Sequence, residues 1–170
     1  FPTRPAGVDY SFFRDTSGAS LASEVPDKRK IAVSRLRSFT APNSHLFTRM
    51  IESWSFGRHV CRHLRAHRRS IDVVYANTWP MLSQALIVRF CARNRIPLVL
   101  HIQDIYPESL MGKIPDCLRG RFCEPLRILD RWCAYRAHRV VVISDNMRRI
   151  YVETRGLPAD KVVIVQNWVD

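Results

Sequence analysis

The sequence predicts an α/β protein built on a Rossmann-like, doubly wound parallel sheet. Two observations predict it. Strand-type and helix-type stretches alternate four times between Ile71 and Val165. The strand-type stretches include continuous β-branched runs such as Val140-Val141-Val142-Ile143, the pattern of strands covered on both faces. Right-handed crossovers between such strands then wind the sheet. With 46% hydrophobic and 25% charged residues, the composition is globular and argues against a disordered chain.

The elements follow in order. The first 29 residues contain Pro2, Pro5, Gly7, Gly18 and Pro26 and read as loop. Lys30 to Arg37 reads as an edge strand, with Ile31, Val33 and Leu36 apolar among basic neighbours. Pro42-Asn43-Ser44 is a turn and helix cap. From His45 to about His67, the apolar positions Leu46, Phe47, Met50, Ile51, Trp54, Val60, Cys61 and Leu64 mostly step by three or four, which is helical spacing. Gly57 lies inside this helix and costs it about 1 kcal/mol relative to Ala.

Ile71 to Ala76 is a buried-type strand, and Pro80 suits the first turn of a helix running to about Arg93. Ile96 to Ile102 is the next strand, followed by a polar loop from Gln103 to about Cys123. Glu124-Pro125 opens a helix that ends near His138. Arg139 to Ile143 is a strand, Ser144 caps a short helix that Gly156 ends, and Lys161 to Val165 is the last strand.

A Rossmann-like domain opens with a strand, a Gly-containing turn and a helix. This chain opens in a loop without an initiator Met and stops at Asp170, just after a strand. The expectation is a single-domain fragment, 1–170, cut at both ends and missing its first β-α-β elements. A mature chain with an irregular amino-terminal arm is the alternative.

With 27 basic and 15 acidic side chains the formal charge is +12, so the surface seeks polyanions. No helix-turn-helix, zinc-finger or RNA-recognition signature is present, and nucleic acid is not an expected partner. None of the five cysteines forms a Cys-x-x-Cys pair, which points to buried thiols in a reducing compartment rather than a disulfide framework or metal site. The longest low-charge run, Val73 to Val88, contains Pro80 and is too short to cross a bilayer.

Three stretches carry a resemblance: Asp72-Val-Val-Tyr-Ala-Asn77, His101-Ile-Gln-Asp-Ile-Tyr-Pro-Glu-Ser109, and Arg139-Val-Val-Val-Ile-Ser144 through Gly156 to Asp170. Together they resemble the amino-terminal domain of retaining family 4 glycosyltransferases of the GT-B fold. The nearest subgroup is that of bacterial surface-polysaccharide synthesis, of colanic-acid or lipopolysaccharide type. Its usual Asp-Leu-Trp-Pro-Glu is here Asp104-Ile-Tyr-Pro-Glu108, and its Pro-Asn-Gly-Val-Asp is here Gln166-Asn167-Trp168-Val169-Asp170. Gln103 stands where the subgroup often has Arg.

The resemblance implies two Rossmann-like domains with a cleft between them. The carboxy-terminal domain would hold the nucleotide-sugar donor, so no cofactor is expected in these residues. Residues 166–170 would begin the interdomain linker. The implied partners are that second domain, in the same chain or a separate subunit, and a lipid-linked or glycan acceptor. The alternative is a non-catalytic acceptor-binding or membrane-recruiting subunit of a split enzyme.

Ligands of open parallel sheets bind outside the carboxyl ends of strands, and two loops leave such ends, at Asn77 and at Gln103. Asp104 is the candidate catalytic base or orienter of an acceptor hydroxyl; alternatively it caps its turn. Asn77, Trp79, Gln103 and Glu108 are the candidate acceptor-binding residues, with Trp79 either stacking on the acceptor or covering the following helix start. His101 reads as a satisfied core residue. Arg58, Arg62, Arg65, Arg68 and Arg69 form a basic face that contacts an anionic membrane or is simply solvated. The expected location is cytoplasmic, peripheral on the inner face of the cytoplasmic membrane.

Overall fold

The computed structural model describes residues 34, 36, 39, 46–77, 81–106, 108 and 116–166. Four strands form one sheet: β1 (Val74–Asn77), β2 (Leu98–Ile102), β3 (Arg139–Val142) and β4 (Val162–Ile164). All neighbours are parallel, in the order β1-β2-β3-β4. Helices α1 (Leu46–Ala66), α2 (Met81–Asn94), α3 (Asp116–Arg136) and α4 (Asp145–Arg149) fill the intervals, and α4 runs on into a π-helical segment, Ile150–Thr154. This is the Rossmann-like α/β arrangement that the alternation predicts. The described strands step one way only, and no reversal of strand order occurs among them.

That one-way order explains a departure from the β-branched pattern. Right-handed crossovers between successive strands carry α2, α3 and α4 to the same face. On that face Leu100, Ile102, Val140 and Val142 are wholly buried, each worth about 1.5–3 kcal/mol of apolar transfer. The alternate residues face the other way. Tyr75 is 61% exposed and Val163 44%, while Val99, His101 and Val141 are half-buried. Among the described residues, helices therefore cover one face of the sheet rather than both.

The predicted elements recur with small shifts. The helix expected from His45 to His67 is α1, Leu46–Ala66. The largest difference is α3, which begins at Asp116 and carries Pro125 inside it rather than at its start. Proline removes one intrahelical donor, and this one is exposed on the helix surface. Of the edge strand expected at Lys30 to Arg37, only Ser34 and Leu36 are described, and neither belongs to a regular element. The loop expected over 1–29 lies outside the described residues.

Helix α1 packs on α2 through small side chains. The buried Ser53 Oγ accepts from the Ser83 backbone N–H at 3.0 Å. A Cβ at Gly57 would stand 2.6 Å from Ser83 Cα. The glycine that weakens the isolated helix is thus what lets the two helices approach. Ser144 caps α4 as predicted, accepting from the Met147 N–H at 3.3 Å. Gly156 closes the π segment at φ +69°. At the end of α2 the Ile96 N–H returns to the Cys91 carbonyl at 3.0 Å, with Arg95 at φ 57° between them. This is a Schellman-type closure at a place that favours glycine, and a side chain there costs about 1–2 kcal/mol.

Candidate functional site

Parallel register brings the carboxyl ends of β1 and β2 together: Asn77 is paired with His101, two residues before Gln103. Asn77, Gln103 and Asp104 are all exposed there. Among the described residues, no hydrogen bond or ion pair engages the Asp104 carboxylate, so it caps no turn. It stands on a bend directly after β2, open to a molecule lying across the strand ends. Trp79 lies outside the described residues. Ser144, at the end of β3, spends its hydroxyl on the α4 cap.

His101 differs from the reading of a satisfied core residue. It is half-buried on the less covered sheet face, its ring 5.8 Å from that of Tyr75, and its buried Nε2 has no hydrogen-bond partner.

Glu108, four residues beyond Asp104, has a different environment. Both its oxygens accept from Arg155 Nη2 at 2.8 Å, and Arg127 Nε lies 3.7 Å away. Arg155 is 2% exposed. It also donates to the Tyr106 carbonyl at 3.0 Å and, through Nε, to Asp130 at 3.2 Å. The Tyr151 hydroxyl completes the cluster, donating to Asp130 at 2.9 Å. Tyr151 lies in the π segment and Arg155 directly after it, and their spacing of four lets both reach Asp130 on α3. One guanidinium thus ties together the loop after β2, helix α3 and the end of the π segment.

The charges in this cluster are unequal. Burial pushes the Asp130 carboxyl up to about 6, against the pull of its hydrogen bonds from Tyr151 and Arg155 and of the Arg155 charge, while the nearby Glu108 adds to the rise. The main cause is desolvation, which disfavours the charged carboxylate, and the sharing of one buried cation by two carboxylates adds a smaller push in the same direction. Burial likewise pushes the Cys133 thiol up to about 12 and Cys91 to about 11. Burial raises Cys61 too, against the pull of Arg65; these thiols and Cys123 are free, and the three that burial raises are poor nucleophiles.

The Arg155–Asp130 pair leaves no sign in the sequence. Its members are 25 positions apart, and neither belongs to a recognisable motif. The Tyr151/Arg155 spacing of four was visible, but helical spacing alone does not distinguish a buried guanidinium from a surface one.

The five arginines of the basic face are exposed. Arg58, Arg62, Arg65 and Arg69 follow at intervals of four, three and four, which keeps them on one side of α1 and the turn after it. The same stripe continues toward the amino end as Trp54, Ile51, Met50 and Phe47, of which Phe47 is 71% exposed. Arg58 lies over the Trp54 ring at 4.7 Å. No helix among the described residues is long and apolar enough to cross a membrane, and none of their His, Cys, Asp and Glu side chains cluster to hold a metal ion.

A parallel Rossmann-like sheet with an open carboxylate at its strand ends defines a class: the α/β proteins whose ligands, as a rule, lie across those ends. The family follows from the whole chain. Residues 4–168 match the Glycosyl transferase 4-like domain family, and the chain belongs to it. No curated protein gives a significant match.

Proposed function

We propose that this chain is the acceptor-side half of a retaining GT-B glycosyltransferase. In this reading the assembled enzyme moves a hexose from a nucleotide-sugar donor to a lipid-linked or glycan acceptor in surface-polysaccharide synthesis. Membership of the glycosyltransferase 4-like family supports the class of reaction. The observation that carries the site is the exposed, unpaired Asp104 carboxylate beside Asn77 at the carboxyl ends of β2 and β1.

The chemistry follows from that placement. Asp104 accepts a hydrogen bond from the acceptor hydroxyl and orients its oxygen toward the donor sugar. As the new glycosidic bond forms, the bond between the sugar's anomeric carbon and the donor's phosphate oxygen breaks, the nucleotide departs with that electron pair, and the carboxylate takes the hydroxyl proton. Asn77 and Gln103 flank it and hold neighbouring acceptor hydroxyls. Glu108 serves the site at one remove, because its bond to Arg155 fixes the far end of the loop that carries Asp104. The donor is held by a second domain across the cleft, as the family resemblance implies.

The test is sugar transfer by the enzyme containing this domain, with a panel of nucleotide-sugars and the membrane lipid fraction as acceptor. Asp104→Asn is expected to lower kcat by about 10²–10⁴-fold, the usual worth of a positioned acid or base. Transfer at the wild-type rate by Asp104→Asn removes the carboxylate from the chemistry.

The α1 stripe supports an inner-membrane location for this reaction. Phe47, Met50, Ile51 and Trp54 would enter the headgroup boundary while the arginines meet anionic lipid at about 1 kcal/mol each. Sedimentation with phosphatidylglycerol vesicles should fall when Trp54 and Phe47 become Ala. Equal sedimentation with neutral vesicles would count against it.

A further inference from the structure

The opposite end of the sheet holds a concave surface. A pocket of about 730 Å³ opens where the carboxyl ends of α2 and α3 meet the amino ends of β2, β3 and β4. Its size is that of a small-molecule site, within the usual range of about 300–1,000 Å³. Arg95, Arg136, His138 and Lys161 line it, with Trp132 and Tyr135 as aromatic walls, and no Asp or Glu is among the lining residues.

Basic side chains at helix carboxyl ends often serve only the helix dipole. Here several carbonyls near the helix ends are already occupied by other donors. Cys91 O takes the Ile96 N–H, Cys133 O takes the Ala137 N–H, and Phe90 O takes the Asn94 side chain. Tyr135 O takes Lys161 Nζ, which also lies 5.3 Å from the Tyr135 ring centre. Arg95, Arg136 and His138 have no carboxylate or carbonyl partner among the described residues.

Two further observations point the same way. Arg95 occupies the left-handed position at φ 57° that a glycine would fill without strain, so the fold holds a guanidinium where local backbone preference opposes it. Lys161 is held below the ordinary lysine range chiefly by burial, with the charge of Arg139 lowering it further against the opposing pull of Asp160.

The geometry points to this pocket as a binding site for a phosphate-bearing small molecule, with Arg95 and Arg136 as the phosphate-contacting cations and Trp132 as a flat wall for the rest of the ligand. Guanidinium groups match phosphate oxygens bidentately. The site lies at the other end of the strands from Asp104, so it stands or falls independently of the transfer reading.

Inorganic pyrophosphate is the probe, titrated into the 170-residue chain at constant ionic strength and followed by calorimetry and by amide chemical shifts. Saturable binding is expected, with the largest shifts at Arg95, Arg136 and Lys161. Arg95→Gly is the decisive variant. It removes the cation and relieves the backbone, so its melting temperature should rise while pyrophosphate binds about tenfold more weakly, the loss of one charge-assisted hydrogen bond. Unchanged affinity in Arg95→Gly, or shifts no larger than chloride produces, overturns the proposal. So does tight binding of a short DNA duplex that pyrophosphate does not displace, which would mark a nucleic-acid surface. Geranyl diphosphate separates the sources: tighter binding than pyrophosphate identifies a lipid-linked diphosphate, and equal binding a free phosphate compound, both upholding the site.

Discussion

Asp104 and Glu108 are two carboxylates on one loop, four residues apart, and they live under opposite conditions. Asp104 is exposed and unpaired at the end of β2. Glu108 is clasped by Arg155, which is itself buried against Asp130. The two ends of the loop divide the work: the anchored end fixes the position of the open one. A free carboxylate is useful only if its backbone is held, and here the buried Arg155 cation holds it together with the packing of Ile102, Ile105 and Tyr106 on either side of Asp104.

Removing that cation should produce the largest change. Arg155→Met leaves Glu108 and the buried Asp130 uncompensated and is expected to destabilise the fold by about 3–5 kcal/mol. Urea unfolding of the two proteins measures it, and a loss below 1 kcal/mol, less than breaking any buried pair should cost, would mean the loop is not anchored there. Glu108→Gln keeps the shape and one acceptor, and Arg155 retains Asp130, so a loss of about 1–2 kcal/mol is expected in the same experiment.

The pH dependence sharpens the picture further. The folded-state value of Asp130, about 6, lies above the 3.8 of the free carboxyl, so the folded state holds its proton more tightly than the unfolded one. The contribution is fully present below about pH 3.8 and is lost as the pH rises through about 6. Between about pH 7 and pH 5 the wild type should therefore gain stability relative to Asp130→Asn, which has no such proton to bind. A stability difference that stays flat across that window would show that Arg155 neutralises Asp130 fully. The smallest stability effect belongs to Asp104→Asn, within about 0.5 kcal/mol of wild type, because the exposed carboxylate supports no structure.

How much of this was legible beforehand differs between fold and site. Helix α1 was readable to within a residue or so at each end because its apolar positions recur at helical spacing along the whole length. The strands after Ile71 were readable because β-branched runs between turn signals have few other folded fates. Pro125 misled the placement of α3, since a proline at a first helical turn and one on an exposed helix face look the same in sequence. Among the described residues, strand order, not strand composition, sends α2, α3 and α4 to one face of the sheet. Gly57 read as a weakness until Ser83 was found against it.

The sequence by itself determined the alternation of strands and helices, the family resemblance, and the position of Asp104 at a strand end. These depend on contacts between near neighbours, whose geometry the 2.0 and 3.6 residue periods already contain. Only the tertiary structure decided which carboxylate stays open and which is captured. That depends on Arg155 reaching across 47 positions to Glu108 and 25 to Asp130. It also decided that Arg95, Arg136 and Lys161 share one pocket. Long-range pairs of charges leave no periodic trace in a chain, because their free energy comes from burial and distance, which exist only once the chain has folded.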